Sequence, residues 1–460
     1  MTKTKGSDET MKVVHISTYD CVGGASRSAY RLHDGLRRSG QESRMFVAKR
    51  SSLDPWVIRY DPPRDLRSRV LRTLRRLNIV LASRLYHLQA PAGLSFFSDD
   101  RTKYGKDPWR RLPESDLIQL HWVARFVDYE AFFELVPATT PVVWTLHDMV
   151  PFTGGCHYDQ ACNRFAQSCG RCPQLGSESD TDLTGQVWQR KWKSFQKLRP
   201  EQLHIVTPSR WLGEQVGQSS LLSRFPRSVI PYGLDTEVFA PRDRSVSREL
   251  LRIPRHAKVV LFVANGVSEP RKGFHLLTRA LEKIDSPSEM FLLSLGSGAP
   301  AEFGGFPKAH IGHVDNDSFL SHVYSAADIF VAPSLQDNLP NTVLESISCG
   351  TPVVGFAVGG IPDMVRPGLT GLLAAPGDAA ELRRVILDLL RNDESREKMA
   401  INCRQIATQE YSLEIQALRY LDLYEEILGE RRVDGWQQRS TVAERGPEPV
   451  FSAHITGLQL

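Results

Sequence analysis

The stretch from Ile329 to Phe356 constrains the fold more than any other part of the chain. Ile329 to Val331, after Asp328, reads as a short buried strand, and Pro333 and Ser334 break it. Pro340 stands where a helix start tolerates proline, because the missing N–H would be an orphan donor there anyway. The helix ends near Gly350, a residue suited to a left-handed cap. Pro352 to Phe356 is an apolar run flanked by helical segments, which points to a parallel sheet.

Two carboxylates give this unit its chemistry. Asp337 lies in the loop and Glu345 about two turns into the helix. Between them the helix start offers the backbone N–H groups of Asn341, Thr342 and Val343, an anion site. A phosphate held there, with a carboxylate on each side for hydroxyl groups, suits a nucleotide sugar. The plainer alternative is a helix with a solvated Glu345 and an Asp337 that only stabilises the N-terminus.

The string from Pro333 to Val354 closely resembles the donor-site signature of retaining glycosyltransferases of family 4, the glycosyl transferases group 1. That signature carries glutamate, seven residues, then glutamate; here Asp337 replaces the first and Glu345 matches the second. The resemblance implies an α/β chain with the GT-B fold, two Rossmann-like doubly wound domains facing across a cleft. It also implies that Glu345 holds the donor ribose and that Asp337 lies against the donor sugar.

A chain of 460 residues is comfortable for two domains, each with its own core. The net charge of +4 is slight, so the pattern of charge matters more than its sum, and no nucleic-acid partner is expected. No run of about 18 apolar residues suggests a membrane span. Met1 to Thr10 is polar and lacks the apolar core of a signal peptide. The expected compartment is the cytoplasm, where the seven cysteines would be reduced or metal-bound.

Lys12 to Ser17 reads as a strand. The turn from Cys21 to Ser26 holds Gly23 and Gly24 and leads into a helix from about Arg27 to Ser39, before a second strand from Gln41 to Ala48. Small residues at such a turn let backbone approach phosphate, although a lone Gly-Gly is often just a tight turn. The pattern is not that of a dinucleotide cofactor loop. In the resembled family this loop faces the donor, which makes Gly23 and Gly24 donor-site candidates.

From Leu66 to Leu85, Leu66, Val70, Leu74, Leu77, Leu81 and Leu85 form one stripe at helical spacing, with Arg67, Arg69, Arg72, Arg75, Arg76 and Arg84 around it. A basic amphipathic helix of this kind can lie on an anionic membrane surface, or pack on the protein's own sheet with its arginines solvated. The resembled class favours the membrane, since many of its enzymes act on lipid-linked acceptors.

His147 ends the strand from Pro141 to Asp148, at the edge where open α/β sheets place ligand residues. The resemblance implies that it contacts the donor sugar near the reacting centre, with Asp148 orienting the imidazole or serving the acceptor. The next loop carries Cys156, Cys162, Cys169 and Cys172. Cys169 and Cys172 form a Cys-x-x-Cys half-site for tetrahedral zinc, with Cys156 and Cys162 as the other half and His157 as a spare ligand. Disulfides and free thiols are the alternatives. Four thiolates would close the shell, so a zinc ion here would be structural.

Residues 1–10 are expected as a polar tail, 11–228 as the acceptor-side domain and 229–410 as the nucleotide-sugar domain. A helix at 411–428 crosses back to the first domain, and 429–460 read as a disordered tail. In the second domain Arg271 and Lys272 precede Gly273 at a helix start, a fork and a point charge that suit a diphosphate. The family usually has its arginine five residues before the lysine; that position is Val267 here, so Arg271 substitutes.

The resulting expectation is a hexosyl-transferring enzyme moving a sugar from a nucleotide diphosphate sugar to a sugar or lipid-linked hydroxyl acceptor, in polysaccharide or glycolipid assembly. His147, Asp337, Arg271 and Lys272 are its catalytic candidates, and Gly23, Gly24, Asn341, Thr342 and Glu345 its donor-binding ones. No cofactor is required, because cationic side chains replace a metal. A GT-B isomerase acting on the nucleotide sugar, or a non-catalytic sugar-nucleotide binder, is the alternative.

Overall fold

The computed structural model of the protein describes residues 10–87, 97–266, 269–284, 289–298 and 305–430. The expected tails, apart from Thr10, Gly429 and Glu430, lie outside the described residues, as does Val267.

Nearly continuous apolar runs alternate with amphipathic ones, and they fold as strands and helices in turn. The first part comprises β1 (Lys12–Tyr19), α1 (Gly24–Arg38), β2 (Glu42–Lys49), β3 (Val57–Arg59), α2 (Leu66–His87), β4 (Leu117–Leu120), α3 (Tyr129–Leu135), β5 (Val142–Thr145), α4 (Leu183–Gln196), β6 (Leu203–Thr207), α5 (Arg210–Gln218) and β7 (Arg227–Val229). The second comprises α6 (Arg244–Leu250), β8 (Lys258–Gly266), α7 (Phe274–Leu281), β9 (Met290–Ser297), β10 (Lys308–His310), α8 (Asp317–Ala326), β11 (Ile329–Ala332), α9 (Asn341–Ser348), β12 (Val353–Phe356), α10 (Ile361–Met364), β13 (Gly371–Ala374), α11 (Ala379–Arg391) and α12 (Asp393–Glu410). A final helix, α13, runs Leu413–Glu430.

The strands form two parallel sheets, ordered β3-β2-β1-β4-β5-β6-β7 and β10-β9-β8-β11-β12-β13. Each order reverses once, at β1/β4 and at β8/β11. Ligands of open α/β sheets sit beyond the carboxyl ends of the strands at such a reversal. The sequence therefore meets the expectation of two doubly wound α/β domains.

Side chains alternate along each strand, so each sheet has two apolar faces. In the first sheet Val14, Ile16, Ile118, Leu120 and Trp144 face one layer. Val13, Leu117 and Val143 face the other, where Leu32 and Leu36 of α1 meet Ala417, Tyr420 and Tyr424 of α13. The chain thus crosses between the sheets twice, and the crossings are tied together. Leu234 N donates to Tyr411 O at 2.9 Å and Leu413 N to Leu234 O at 3.1 Å.

α2 is amphipathic as its spacing predicts, but its apolar stripe is not packed on the sheet: Leu66 is 78 % exposed, Leu74 57 % and Leu81 60 %. Its side chains beyond residue 82 lie outside the described residues. Among the described residues no helix is long and apolar enough to cross a membrane.

Candidate functional site

The loops after β8 and β11 are locked together before they meet any ligand. Gly273 takes φ +70°, and a Cβ there would lie 1.7 Å from Pro333 O, so only glycine fits. Leu335 N donates to Arg271 O at 2.8 Å, which sets the basic turn against the acidic loop. Asp337 is 6 % exposed, with Lys272 Nζ at 2.6 Å, Arg271 Nη1 at 3.4 Å and the Tyr158 hydroxyl at 3.3 Å. Burial alone would raise its pKa, but the Lys272 and Arg271 cations outweigh this and hold it at about 2. Arg271 lies over the Tyr158 ring at 4.3 Å and also holds Glu269 and Gln336 O, so its fork is already in use.

α9 begins after Pro340, whose carbonyl accepts from Val343 N at 3.0 Å. Of the three amides expected to be open, Val343 is therefore engaged in the helix's own first turn. Glu345 is not a solvated face: it is 5 % exposed, accepting from Tyr324 Oη and from Arg31 Nη2 of α1, each at 3.0 Å. Asn341 Nδ2 donates to Gly24 O at 2.9 Å and to Ser28 Oγ at 3.0 Å. Thr342 is half-buried beside it, and Gly23, at φ +83°, has open space where a side chain would stand. The glycine turn expected before the helix is in fact the start of α1, at Gly24. Arg27 of the same helix pairs with Asp317.

His147 lies on the opposite wall. Asn338, next to Asp337, donates Nδ2 to His147 O at 3.1 Å. The imidazole uses both nitrogens internally, with Tyr232 Oη 2.7 Å from Nδ1 and His121 Nδ1 3.2 Å from Nε2. Burial pushes its pKa down to about 4, against the opposing pull of Asp148, so the ring is neutral. Asp148 does not orient His147. It accepts from His157 Nδ1 at 2.6 Å and from Trp122 Nε1 at 3.0 Å.

That bond also removes His157 as a spare metal ligand, since its Nε2 meets Ser98 Oγ at 2.9 Å. The four cysteines do gather around one recess, with about 20 Å³ of free space inside it. Among the described residues, however, no three His, Cys, Asp or Glu side chains form a group that could hold a metal ion. The thiols are unpaired in disulfides, and burial raises those of Cys156, Cys169 and Cys172, the second to about 12. The loop that carries them abuts the site: Gln336 Nε2 donates to Asp159 at 2.8 Å.

The structure thus brings Asp337, Arg271 and Lys272 into one cluster and Glu345, Asn341 and Gly24 into a second, with His147 across from them. Sequence reasoning missed Arg27, Arg31, Tyr158, Tyr232 and Tyr324. Arg27 and Arg31 carried a signal, two arginines four apart on the helix that follows Gly24. Tyr158 and Tyr232 sit in loops whose course no periodicity foretells.

Residues 257–392 match the family model described as "Glycosyl transferases group 1". The chain is 32 % identical over 187 residues to the sulfoquinovosyl transferase SQD2 of Arabidopsis thaliana, covering 39 % of this chain and 36 % of that protein. It is 31 % identical over 226 residues to a D-inositol 3-phosphate glycosyltransferase of Corynebacterium glutamicum, covering 45 % and 53 %. The chain therefore spans about a third to a half of the length of these relatives. Among solved structures, sucrose-phosphate synthase from Thermosynechococcus elongatus superposes with a TM-score of 0.61 at 20 % identity, covering 91 % of this chain and all of that one. HepE of Anabaena, solved with UDP-glucose, gives 0.58 at 16 % identity over 90 % and 100 %. WaaG, a glycosyltransferase involved in lipopolysaccharide biosynthesis, gives 0.56 at 17 % over 91 % and 100 %. Residues 257–392 thus match the glycosyl transferases group 1 domain, and the chain as a whole has the two-domain GT-B fold of WaaG and sucrose-phosphate synthase.

Proposed function

We propose that the protein is a retaining glycosyltransferase of the family 4 type, moving a hexosyl group from a nucleoside diphosphate sugar to a hydroxyl acceptor. The observation that carries this reading is the convergence of Arg271 and Lys272 on Asp337, beside the start of α9, with Glu345 about one turn into that helix and not the two expected. Asp337 faces both cations and Glu269 holds Arg271 as well, and a diphosphate is a stronger partner for both cations. On binding, the phosphates take Lys272, Arg271 and the amides of Asn341 and Thr342, where they stabilise the charge that grows on the leaving group. Glu345 exchanges Arg31 for ribose hydroxyls. Asp337, released from Lys272, turns to a sugar hydroxyl, and His147 borders the reacting carbon.

The departing phosphate takes the proton of the acceptor hydroxyl as that oxygen attacks from the same face, which keeps the anomeric configuration. This step draws its positive charge from side chains. The UDP and UDP-glucose named for HepE support a uridine nucleotide as the first donor to try.

The acceptor is proposed to be a sugar or lipid-linked sugar, with the enzyme peripheral on the inner face of a membrane. The exposed stripe of α2 supports this, as do Arg64, Arg69 and Arg72, which line a recess beside it. The test is transfer from UDP-glucose, with and without sugar acceptors, and NMR of the new linkage. An α-linked product upholds the reading. An inverted linkage overturns retention, and isomerised donor without transfer overturns the transferase.

A further inference from the structure

Three buried imidazoles form a row across the first sheet. They come from neighbouring strands: His15 from within β1, His121 from just beyond β4 and His147 from just beyond β5. His15 Nδ1 is 2.9 Å from His121 Nε2, and His121 Nδ1 is 3.2 Å from His147 Nε2. Tyr232 Oη closes the cleft end at 2.7 Å from His147 Nδ1. The far end is sealed, with His15 0 % exposed and its Nε2 without a hydrogen-bond partner among the described residues.

Burial lowers the pKa of all three rings, so each is neutral and carries one proton. A neutral imidazole donates from one nitrogen and accepts at the other. Each N–H···N contact therefore dictates the next, and the row has only two complete arrangements. In one, every proton is on Nε2, which leaves the His15 Nε2–H as a donor sealed away from any acceptor. In the other, every proton is on Nδ1, His15 Nε2 is a bare acceptor, and His147 donates to the Tyr232 oxygen. A buried orphan donor is the rarer and costlier of the two ends.

We propose that His15 and His121 are positioning residues, which hold the proton of His147 on Nδ1 and so turn the Tyr232 hydroxyl hydrogen away from His147 and toward the cleft. This rests on the glycosyltransferase reading for its functional meaning, because His147 and Tyr232 border the proposed sugar site. The row itself stands on geometry alone. It gives the site one neutral donor of fixed direction, and the carboxylate beside it, Asp148, is itself held by His157 and Trp122.

The test uses long-range ¹H–¹⁵N spectra of imidazole-labelled full-length protein, with His121→Asn and His121→Asp compared. Asparagine and aspartate have the same shape and place a polar atom where His121 Nδ1 stands. Only the amide can donate to His147 Nε2, whereas the carboxylate can only accept from it. The expected result is a bare His147 Nε2 in wild type and in His121→Asn, and a protonated one in His121→Asp. In UDP-glucose turnover, His121→Asp should lose on the order of tenfold to a hundredfold in kcat relative to His121→Asn, with KM little changed. A packing role would move both variants alike, and that result overturns the proposal. Should either variant not fold, wild type alone decides: a proton on Nε2 of His15, His121 or His147 overturns it. The spectra need no turnover, so an intact row in a protein that neither binds UDP nor transfers sugar would reject the glycosyltransferase reading and keep the row.

Discussion

Asp337 stands where the resembled signature has glutamate, and its shorter side chain meets Lys272 and Arg271 instead of reaching further into the cleft. An internal anion therefore competes with the substrate's phosphates. Asp337→Asn should raise UDP affinity about tenfold, the worth of one charge-assisted bond, while lowering transfer. Titration calorimetry showing unchanged or weaker UDP binding would place the phosphates elsewhere. Glu345→Gln should act in the opposite sense and weaken UDP binding on the order of tenfold to a hundredfold, because a neutral amide replaces a charged acceptor for the ribose. Full UDP affinity in that variant would leave Glu345 as nothing more than the partner of Arg31 and Tyr324. The histidines set the pH response. His33 and His147 are depressed from 6.5 to about 4 by burial, so between these values the unfolded chain binds protons that the native one refuses. Stability should fall as pH drops through that window, and melting temperatures measured from pH 7 to pH 4 check the direction. The carboxylates and cations of the donor side were legible in the sequence because a motif fixes their spacing. The partners from α1 and the linker were not, since Arg31 lies 314 residues from Glu345 in the chain and Tyr232 lies 85 from His147.

For α2 the sequence carried the amphipathic spacing but not what covers the stripe, because periodicity is the same whether a helix packs on protein or on lipid. The exposure of Leu66, Leu74 and Leu81 shows that the stripe is not packed on the protein's own sheet. Replacing Arg72, Arg75 and Arg76 with glutamate should release the protein from anionic vesicles, and wild-type binding should weaken as salt shortens the Debye length. Cosedimentation unaffected by either change would reject a membrane role. The cysteine loop shows the converse limit. Four cysteines close in sequence do share a recess, yet backbone course decides whether sulfurs converge, and the hydrogen bond from Gly154 N to Cys169 Sγ at 3.1 Å spends one thiol on the loop itself. The structural-zinc expectation is settled by metal analysis of protein purified under reducing conditions. One zinc per chain, with a lower Tm on chelation, upholds it; no metal and four titratable thiols dismiss it.

Across the whole molecule the sheets themselves were the most legible part, since buried parallel strands read as apolar runs between helices. Strand order and the contacts between domains were not, because they follow from three-dimensional packing. The contacts of α13 show how far such packing reaches. Tyr424 Oη donates to Gln119 Oε1 at 2.7 Å, Gln119 Nε2 donates to Thr145 Oγ1 at 2.9 Å, and Thr145 Oγ1 meets Tyr420 Oη at 2.7 Å, all inside the first domain. Tyr424→Phe removes one of these partners and should cost about 1–3 kcal/mol, read from the denaturant midpoint, because Gln119 is left unsatisfied in the core. An unchanged midpoint would show that water replaces the hydroxyl. This arrangement also bears on how the protein is born. The strands of the first domain leave the ribosome before the second domain, but the helix that seals one face of their sheet is translated only after it. Those strands must wait, partly uncovered, while the entire second domain is made, so the domain begun first is the one finished last.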